Sequence, residues 1–195
     1  MARPIEFEYE KVLESAMQQF WREGYEASSV QKLLDATGIN RGTLYNSFGD
    51  KDTFFKLCVD RYNGLIRKNL DGSLGNSSLG AVAAIEAYFQ AAILLAPNKQ
   101  RSQGCLLVNS VCESINWDKE IQKLIRSSLN VVRKGLQSRT RQMEKSKLLK
   151  RGLNAEQAAE ALMNTLQGLY VSARNGRTPK QLGEAFKNGL EAIQK

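Results

Sequence analysis

With 195 residues, 42% of them hydrophobic, 25% charged and only three prolines, the chain has the composition of a globular protein large enough to bury a sizeable core. Histidine is absent and Cys58, Cys105 and Cys112 stand at no zinc spacing, which excludes histidine ligands, bases and triads and leads to an expectation of no metal or cofactor. The formal charge of +8 is unevenly placed: residues 1–72 hold 10 basic against 11 acidic side chains and the remainder 18 against 9, so the surplus lies outside the N-terminal region.

Glu6, Glu8 and Glu10 lie where a first helix would start, and acids there suit the helix dipole. A 28-residue stretch, 28–55, then reads as a helix-turn-helix with a supporting helix behind it. Ser28 is the predicted N-cap of a short helix, with Gln31 closing a capping box and Val30, Leu33 and Leu34 forming the apolar face. Thr37, Gly38 and Ile39 make the turn, where glycine permits the positive φ that ends a helix. Asn40 caps the next helix. Leu44 and Phe48, at i and i+4, face inward with Ile39, and Arg41, Gly42, Thr43, Tyr45, Asn46 and Ser47 are left outside. Such a face suits a major groove, with Arg41 directed to guanine, Asn46 to adenine and Thr43 offering a methyl or hydroxyl. Asp50 caps a further helix and puts Lys51 at its first position. A cation there is disfavoured by the helix dipole unless an anion approaches, and a DNA phosphate is that anion. The alternative is a surface lysine paired with Asp52.

Beyond the reading head the apolar periodicity is helical throughout, so the fold class is all-α. A fourth helix spans 50–70 with Phe54, Cys58, Tyr62, Leu65 and Ile66 on one face, and the Gly- and Ser-rich stretch 71–78 breaks it. A fifth, 79–96, is apolar nearly all round through Val82, Ile85, Tyr88, Phe89 and Ile93 and closes at Pro97. The longest apolar run, 91–96, is far short of the roughly 20 residues that span a bilayer, and no leader-like run follows a basic start, so no membrane association and a cytoplasmic location are expected. A short helix covers 105–115 and a long one 117–150. The basic tract 133–151, with Arg139, Arg141, Lys145, Lys147 and Lys150, reads as the solvated end of that helix, a second nucleic-acid surface being the alternative. Asn154 with Gln157, and Thr178 with Pro179 and Gln181, start the last two helices by capping boxes. Their stripe, Ala155, Ala158, Leu162, Leu166, Leu169, Tyr170 and Ala173, then Leu182, Phe186 and Ile193, is expected to form a dimer interface through Ala158, Leu162, Leu166, Leu169, Ala173, Leu182, Phe186 and Ile193; intrachain core is the alternative. Two recognition helices in a homodimer would meet half-sites about one DNA turn apart, a palindromic operator.

The segment 9–55 resembles the DNA-binding domain of TetR-family transcriptional regulators, supplying Phe20, Gly24, Tyr25, Val30, Thr37, Gly38, Ile39, Thr43, Leu44, Tyr45, Phe48 and Lys51 in that pattern's order. The resemblance implies a three-helix head over 1–50 and a larger helical ligand-binding and dimerisation domain over 51–195. It implies DNA contact by Thr43 and Tyr45 and phosphate contact by Lys51 and by Ser28 or Ser29, on double-stranded DNA. It also implies an effector pocket, for which the stretch GCLLVNSVCESINW looks like one branch of the family; Tyr88, Phe89, Cys105, Asn109, Cys112, Glu113, Trp117, Leu166 and Tyr170 are the candidate lining for an unknown small molecule.

Glu113, if buried, would favour a cationic ligand; the expectation is that it is exposed. Cys105 follows Gly104 at an expected helix N-terminus, near Lys99 and Arg101, all of which stabilise a thiolate and make it a candidate sensor of electrophiles or oxidants, as some similar family members are. A small, partly buried and inert cysteine is the commoner fate and is what is expected here, with sensing the alternative. The function implied is a ligand-released repressor, with no enzymatic activity. Two other readings stand beside it: an all-helical enzyme or sensor acting on a small electrophile through Cys105, and a DNA-binding adaptor without effector.

Overall fold

The computed structural model describes the backbone of residues 4–195 and the side chains of residues 9–195. The elements in chain order are α1 (Pro4–Glu23), α2 (Val30–Thr37), α3 (Arg41–Phe48), α4 (Lys51–Asp71), α5 (Ala81–Phe89), a π-helical turn (Gln90–Leu94), α6 (Asn98–Arg101), α7 (Leu106–Glu113), a 3₁₀ turn (Ser114–Asn116), α8 (Lys119–Lys145), α9 (Ala155–Arg174) and α10 (Pro179–Glu191). No strand occurs among the described residues beyond a single bridge between Leu149 and Gln194. No single helix among them is long and apolar enough to cross a membrane.

The chain forms two compact units. One combines the sequence up to Leu65 with Cys105–Arg126, and the other combines Ile66–Gly104 with Ser127–Lys195. In the first, α1 packs on α2. Its core is aromatic: Phe20 meets Phe55 edge-on at 4.9 Å, Phe48 tilts against Phe54 at 4.7 Å and Tyr9 stacks on Phe48 at 4.7 Å. Leu33, Leu44, Leu106, Leu107 and Ile121 are buried in the same unit. In the second, α10 packs on α9, and Phe186 of α10 stacks on Phe89 at 4.4 Å.

The fifth helix does not continue unbroken to residue 96. It widens after Phe89 into the π-helical turn, which packs against α10 with Ile93 buried. α8 stops at Lys145, short of 150, in a Schellman closure: Leu148 N–H donates to Met143 O at 2.9 Å and Lys147 N–H to Glu144 O at 3.0 Å. Lys147 occupies the left-handed position at φ 57°, a conformation that costs a residue with a Cβ about 1–2 kcal/mol. Lys147→Gly should therefore raise the unfolding free energy by about 0.5–1 kcal/mol after the added freedom of the unfolded chain is set against it, measurable by urea titration. The last two helices start with the expected complete capping boxes at Asn154 and Thr178.

The basic tract is not uniformly solvated. Arg139 is 4% exposed and its guanidinium donates to the carbonyls of Leu74 (2.7 Å), Asn76 (2.6 Å) and Leu79 (3.1 Å), which ties down the loop between α4 and α5. The stripe expected to meet a second copy is also corrected. Ala158, Leu162, Leu166, Leu169, Ala173, Leu182, Phe186 and Ile193 are all buried within one chain, because α9 and α10 bury these faces in their own unit. Any contact between copies through this pair has to use outward positions, where Val171 is 53% exposed.

Candidate nucleic-acid interface

The helix-turn-helix is built from local signals. Ser29, with extended backbone, is the N-cap of α2 and accepts from Lys32 N–H at 3.3 Å. Ser28, the residue expected in that role, is buried and donates to Gly24 O at 2.6 Å, so its hydroxyl supports the preceding turn and is withdrawn from any phosphate. Gly38 ends α2 at φ 72°, its N–H donating to Leu34 O at 2.8 Å. Asn40 caps α3 by accepting from Thr43 N–H at 2.8 Å. Leu44 and Phe48 are buried, which turns Arg41, Gly42, Tyr45, Asn46 and Ser47 outward with Thr43 half-buried. Tyr45 is 48% exposed, an unusual state for a large aromatic.

Asp50 accepts from Thr53 N–H at 2.8 Å and so caps α4, which places Lys51 in the first turn. The ammonium of Lys51 lies 4.2 Å from the centre of the Tyr25 ring. Burial there lowers its pKa, opposed by the nearby carboxylates of Glu26, Asp52 and Glu113. Asp52 accepts a hydrogen bond from the Tyr25 hydroxyl, and among the described residues no Lys51–Asp52 ion pair forms. Tyr25 is in turn packed on Trp117 at 4.6 Å and on Phe55 at 5.0 Å.

Sequence reasoning missed what holds this turn. Trp117 Nε1 donates to Glu26 Oε1 at 2.7 Å, and Glu113 Oε2 accepts from Glu26 N–H at 3.3 Å. Gly24 is at φ 89°, and a Cβ there would sit 2.1 Å from Glu113 Oε1. Glu113 and Trp117, expected to line an effector pocket, thus spend their polar atoms on the α1–α2 turn. Glu113 is half-buried there, against the expectation of exposure. The one legible signal was Gly24, whose lack of a side chain allows both the backbone and the approach of the carboxylate.

The acids of the head are largely engaged. Glu23 pairs with Lys32 at 2.7 Å, and Arg61 joins Glu14 at 2.8 Å and also Glu10. Glu10, expected to serve the α1 dipole, is tied to α4 instead, and the side chains of Glu6 and Glu8 lie outside the described residues. Hydrogen bonds from Lys32 and Gln19 hold the Glu23 carboxyl well below its ordinary range, at about 2.

Of the other expected pocket residues, Asn109 is half-buried and Cys112 exposed in the first unit, while Tyr88, Phe89, Leu166 and Tyr170 are buried in the second. Cys105 is buried, and burial raises its thiol pKa despite a hydrogen bond with Tyr62, which favours the inert cysteine over the thiolate sensor. Arg101 is committed to Ala96 O at 2.8 Å and Asn98 Oδ1 at 3.0 Å. Burial likewise raises the pKa of Cys58. Iodoacetamide at neutral pH should therefore modify Cys112 first, with Cys58 and Cys105 protected until the protein is denatured, as peptide mass spectrometry would show.

Comparison with known proteins agrees with this architecture. Residues 12–58 match the model of bacterial regulatory proteins, tetR family, and residues 81–188 that of the tetracyclin repressor-like C-terminal domain. The chain is 30% identical over 186 residues to the HTH-type transcriptional repressor ComR of Escherichia coli (strain K12), covering 92% of this chain and 86% of that one. It is 22% identical over 182 residues to the HTH-type transcriptional repressor DhaR of Mycobacterium sp. (strain GP1), covering 93% and 90%. Its fold matches that of a regulatory protein TetR from Rhodobacter sphaeroides with a TM-score of 0.85 at 17% identity, over 95% of this chain and 98% of that one. It matches that of a cysteine mutant of the TetR family transcriptional regulator CifR, complexed with 26bp double-strand operator DNA, with a TM-score of 0.83 at 22% identity, over 94% and 95%.

Proposed function

The chain belongs to the TetR family of bacterial regulatory proteins, and from that premise we propose that it is a repressor that binds a palindromic operator as a homodimer and is released by a small-molecule effector. It is a DNA-binding transcriptional regulator and not an enzyme. The observation that carries the reading is the outward face of α3, capped by Asn40, with Arg41, Tyr45 and Asn46 exposed to solvent while Leu44 and Phe48 anchor the helix from behind. In this reading Arg41, Gly42, Thr43, Tyr45 and Asn46 meet the major groove. Asn40, Ser29 and Lys51 hold the backbone. The near-neutral charge of residues 1–72 means that a few placed groups, rather than a general basic surface, set the affinity.

Release requires a ligand that distinguishes two states of the protein. Reversing a 99:1 population takes roughly 10⁴-fold preference for the released state. The bonds from Glu113 and Trp117 to Glu26, with Tyr25 packed between Trp117 and Lys51, give α7 a direct hold on the turn before α2. A displacement of α7 would move Lys51 and α2 together. The family's effector region is assigned here to residues 51–195, with Tyr88, Phe89, Cys105, Asn109, Cys112, Leu166 and Tyr170 as the side chains to test.

The decisive test is selection of bound fragments from the source's own DNA, followed by affinity against salt. A palindromic enriched site is expected. Tyr45→Ala should weaken it about tenfold or more, whereas Lys51→Ala should weaken all sequences alike and reduce the salt slope by about 1. Absence of enrichment over non-specific binding would remove the reading.

A further inference from the structure

We infer that the first unit carries a second ligand site, a groove at the C-terminal end of α7 and the start of α8 that binds a small carboxylate with a short apolar tail. The groove holds about 270 Å³ and is lined by Val111, Ser114, Ile115, Gln122, Ile125 and Arg126. None of these belongs to the expected effector lining. Ile125 is 1% exposed and forms an apolar floor, while Val111 and Ile115 remain 47% and 86% exposed on the wall. Two large aliphatic side chains left in water beside a concavity are an unfavourable arrangement that an apolar ligand would relieve.

The polar end is built rather than incidental. The Gln122 amide donates to Ser114 O at 2.9 Å and Trp117 O at 3.0 Å, which closes the 3₁₀ turn and fixes the orientation of this side chain. Its Oε1 then accepts from Arg126 Nη2 at 3.0 Å. Arg126 is thereby held at the groove, and among the described residues no carboxylate pairs with it. A guanidinium with donors left over presents the planar fork that a carboxylate fills with two parallel bonds. The lining has one cation and no second positive group, which favours a monoanion over a phosphate. The volume lies just below the range of about 300–1,000 Å³ typical of drug-sized ligands, so the tail is short.

The lining run continues directly into Glu113 and Trp117, which hold the α1–α2 turn. Occupancy should therefore change Trp117 fluorescence. Any effect on DNA rests on the regulator reading above, whereas binding itself does not.

The test is titration of the full chain with sodium hexanoate, followed by amide NMR and tryptophan fluorescence, with hexanol and hexylamine as comparison ligands. Saturable millimolar binding is expected, with the largest amide shifts in 111–115 and 122–126 and about tenfold weaker binding of hexanol and hexylamine. Arg126→Met should bring hexanoate down to the level of hexanol, and Ile115→Asp should abolish binding; both side chains are exposed, so the variants should retain the wild-type spectrum elsewhere. No saturable shift, shifts centred elsewhere, or hexanoate binding unchanged in Arg126→Met would each overturn the site. Operator binding in the same preparation separates the two readings. Sequence-specific DNA binding without a hexanoate response removes only this site, and a hexanoate response without sequence-specific DNA binding removes only the regulator reading.

Discussion

Arg139→Met is expected to lower the unfolding free energy by roughly 3–5 kcal/mol, while Arg141→Met, an exposed neighbour in the same basic tract, should change it by no more than about 0.5 kcal/mol. The stretch 72–80 joins α4 to α5 without continuous helix; its own turns satisfy some carbonyls, as Asn76 N–H does for Ser73 O at 2.9 Å, and others take partners from outside. Arg139 supplies three of them through Nε, Nη1 and Nη2, and Nη1 also donates to Gln142 Oε1 at 3.0 Å. Carbonyl dipoles, with no carboxylate bonded to the guanidinium among the described residues, take the place of water around this charge. Methionine matches the aliphatic stem but removes the guanidinium from the carbonyls of Leu74 and Leu79, at about 1–3 kcal/mol for each that stays buried, while Asn76 O keeps its bond from Leu79 N–H at 3.2 Å. The same loop is held by packing: Leu74 is 4% exposed, and a Cβ on Gly135 of α8 would come within 3.1 Å of its Cδ1. Arg139→Lys tests the geometry, since one ammonium cannot reach three diverging carbonyls and should recover only part of the loss. Urea unfolding followed by circular dichroism measures all three. A loss under about 1 kcal/mol for the methionine variant would show that the loop is held by packing alone.

Tyr25→Ala should cost about 2–3 kcal/mol, less than a fully buried aromatic because the ring is half-buried, and Tyr25→Phe about 1 kcal/mol. The half-buried ring packs against Trp117 at 4.6 Å, Phe55 at 5.0 Å and Phe20 at 6.1 Å, with Lys51 above it, so truncation strips these aromatic contacts from the turn before α2. Phenylalanine keeps those contacts and removes only the bond to Asp52. The pair separates two consequences. Tyr25→Ala also frees Lys51 from the ring face and should weaken operator binding in proportion, whereas Tyr25→Phe keeps the cation over a ring. The alkaline limb provides a further check. Burial first, then the bond to Asp52, raises the phenol pKa above its ordinary 10.0, so the folded state holds its proton where the unfolded chain releases it. Stability that Tyr25 contributes is complete below pH 10 and is lost as pH rises through the folded pKa. Tyr25→Phe should flatten that decline, and an unchanged alkaline profile would show that Tyr25 does not titrate with unfolding.

What the sequence by itself determined are features whose causes lie within about four residues of each other. Gly38 ends α2, Asn40 and Asp50 cap α3 and α4, the boxes at Asn154 and Thr178 start α9 and α10, and the i, i+4 spacing of Leu44 and Phe48 turns the reading face outward. Each is settled by a backbone bond or a helical periodicity that local residues control, and the many motif positions at fixed spacing made the family legible as well. Only the tertiary structure decided between residues that are alike locally. Adjacent Ser28 and Ser29 offer the same hydroxyl, and the fold of the Gly24 turn buries one and leaves the other to cap. Arg139 is one of several basic side chains in its tract, distinguished by a loop some 60 residues earlier in the chain. The α9–α10 stripe has the same spacing whether it faces its own unit or a second copy. Cys105 has the local surroundings of a thiolate, but burial outweighs them. Glu113 and Trp117 meet Glu26 across 87 and 91 positions of sequence, and nothing in either segment encodes that meeting. Periodicity specifies which face of a helix is apolar. What covers that face depends on packing between segments distant in the chain, and there the energies of burial and of unpaired polar groups, not local propensity, make the choice.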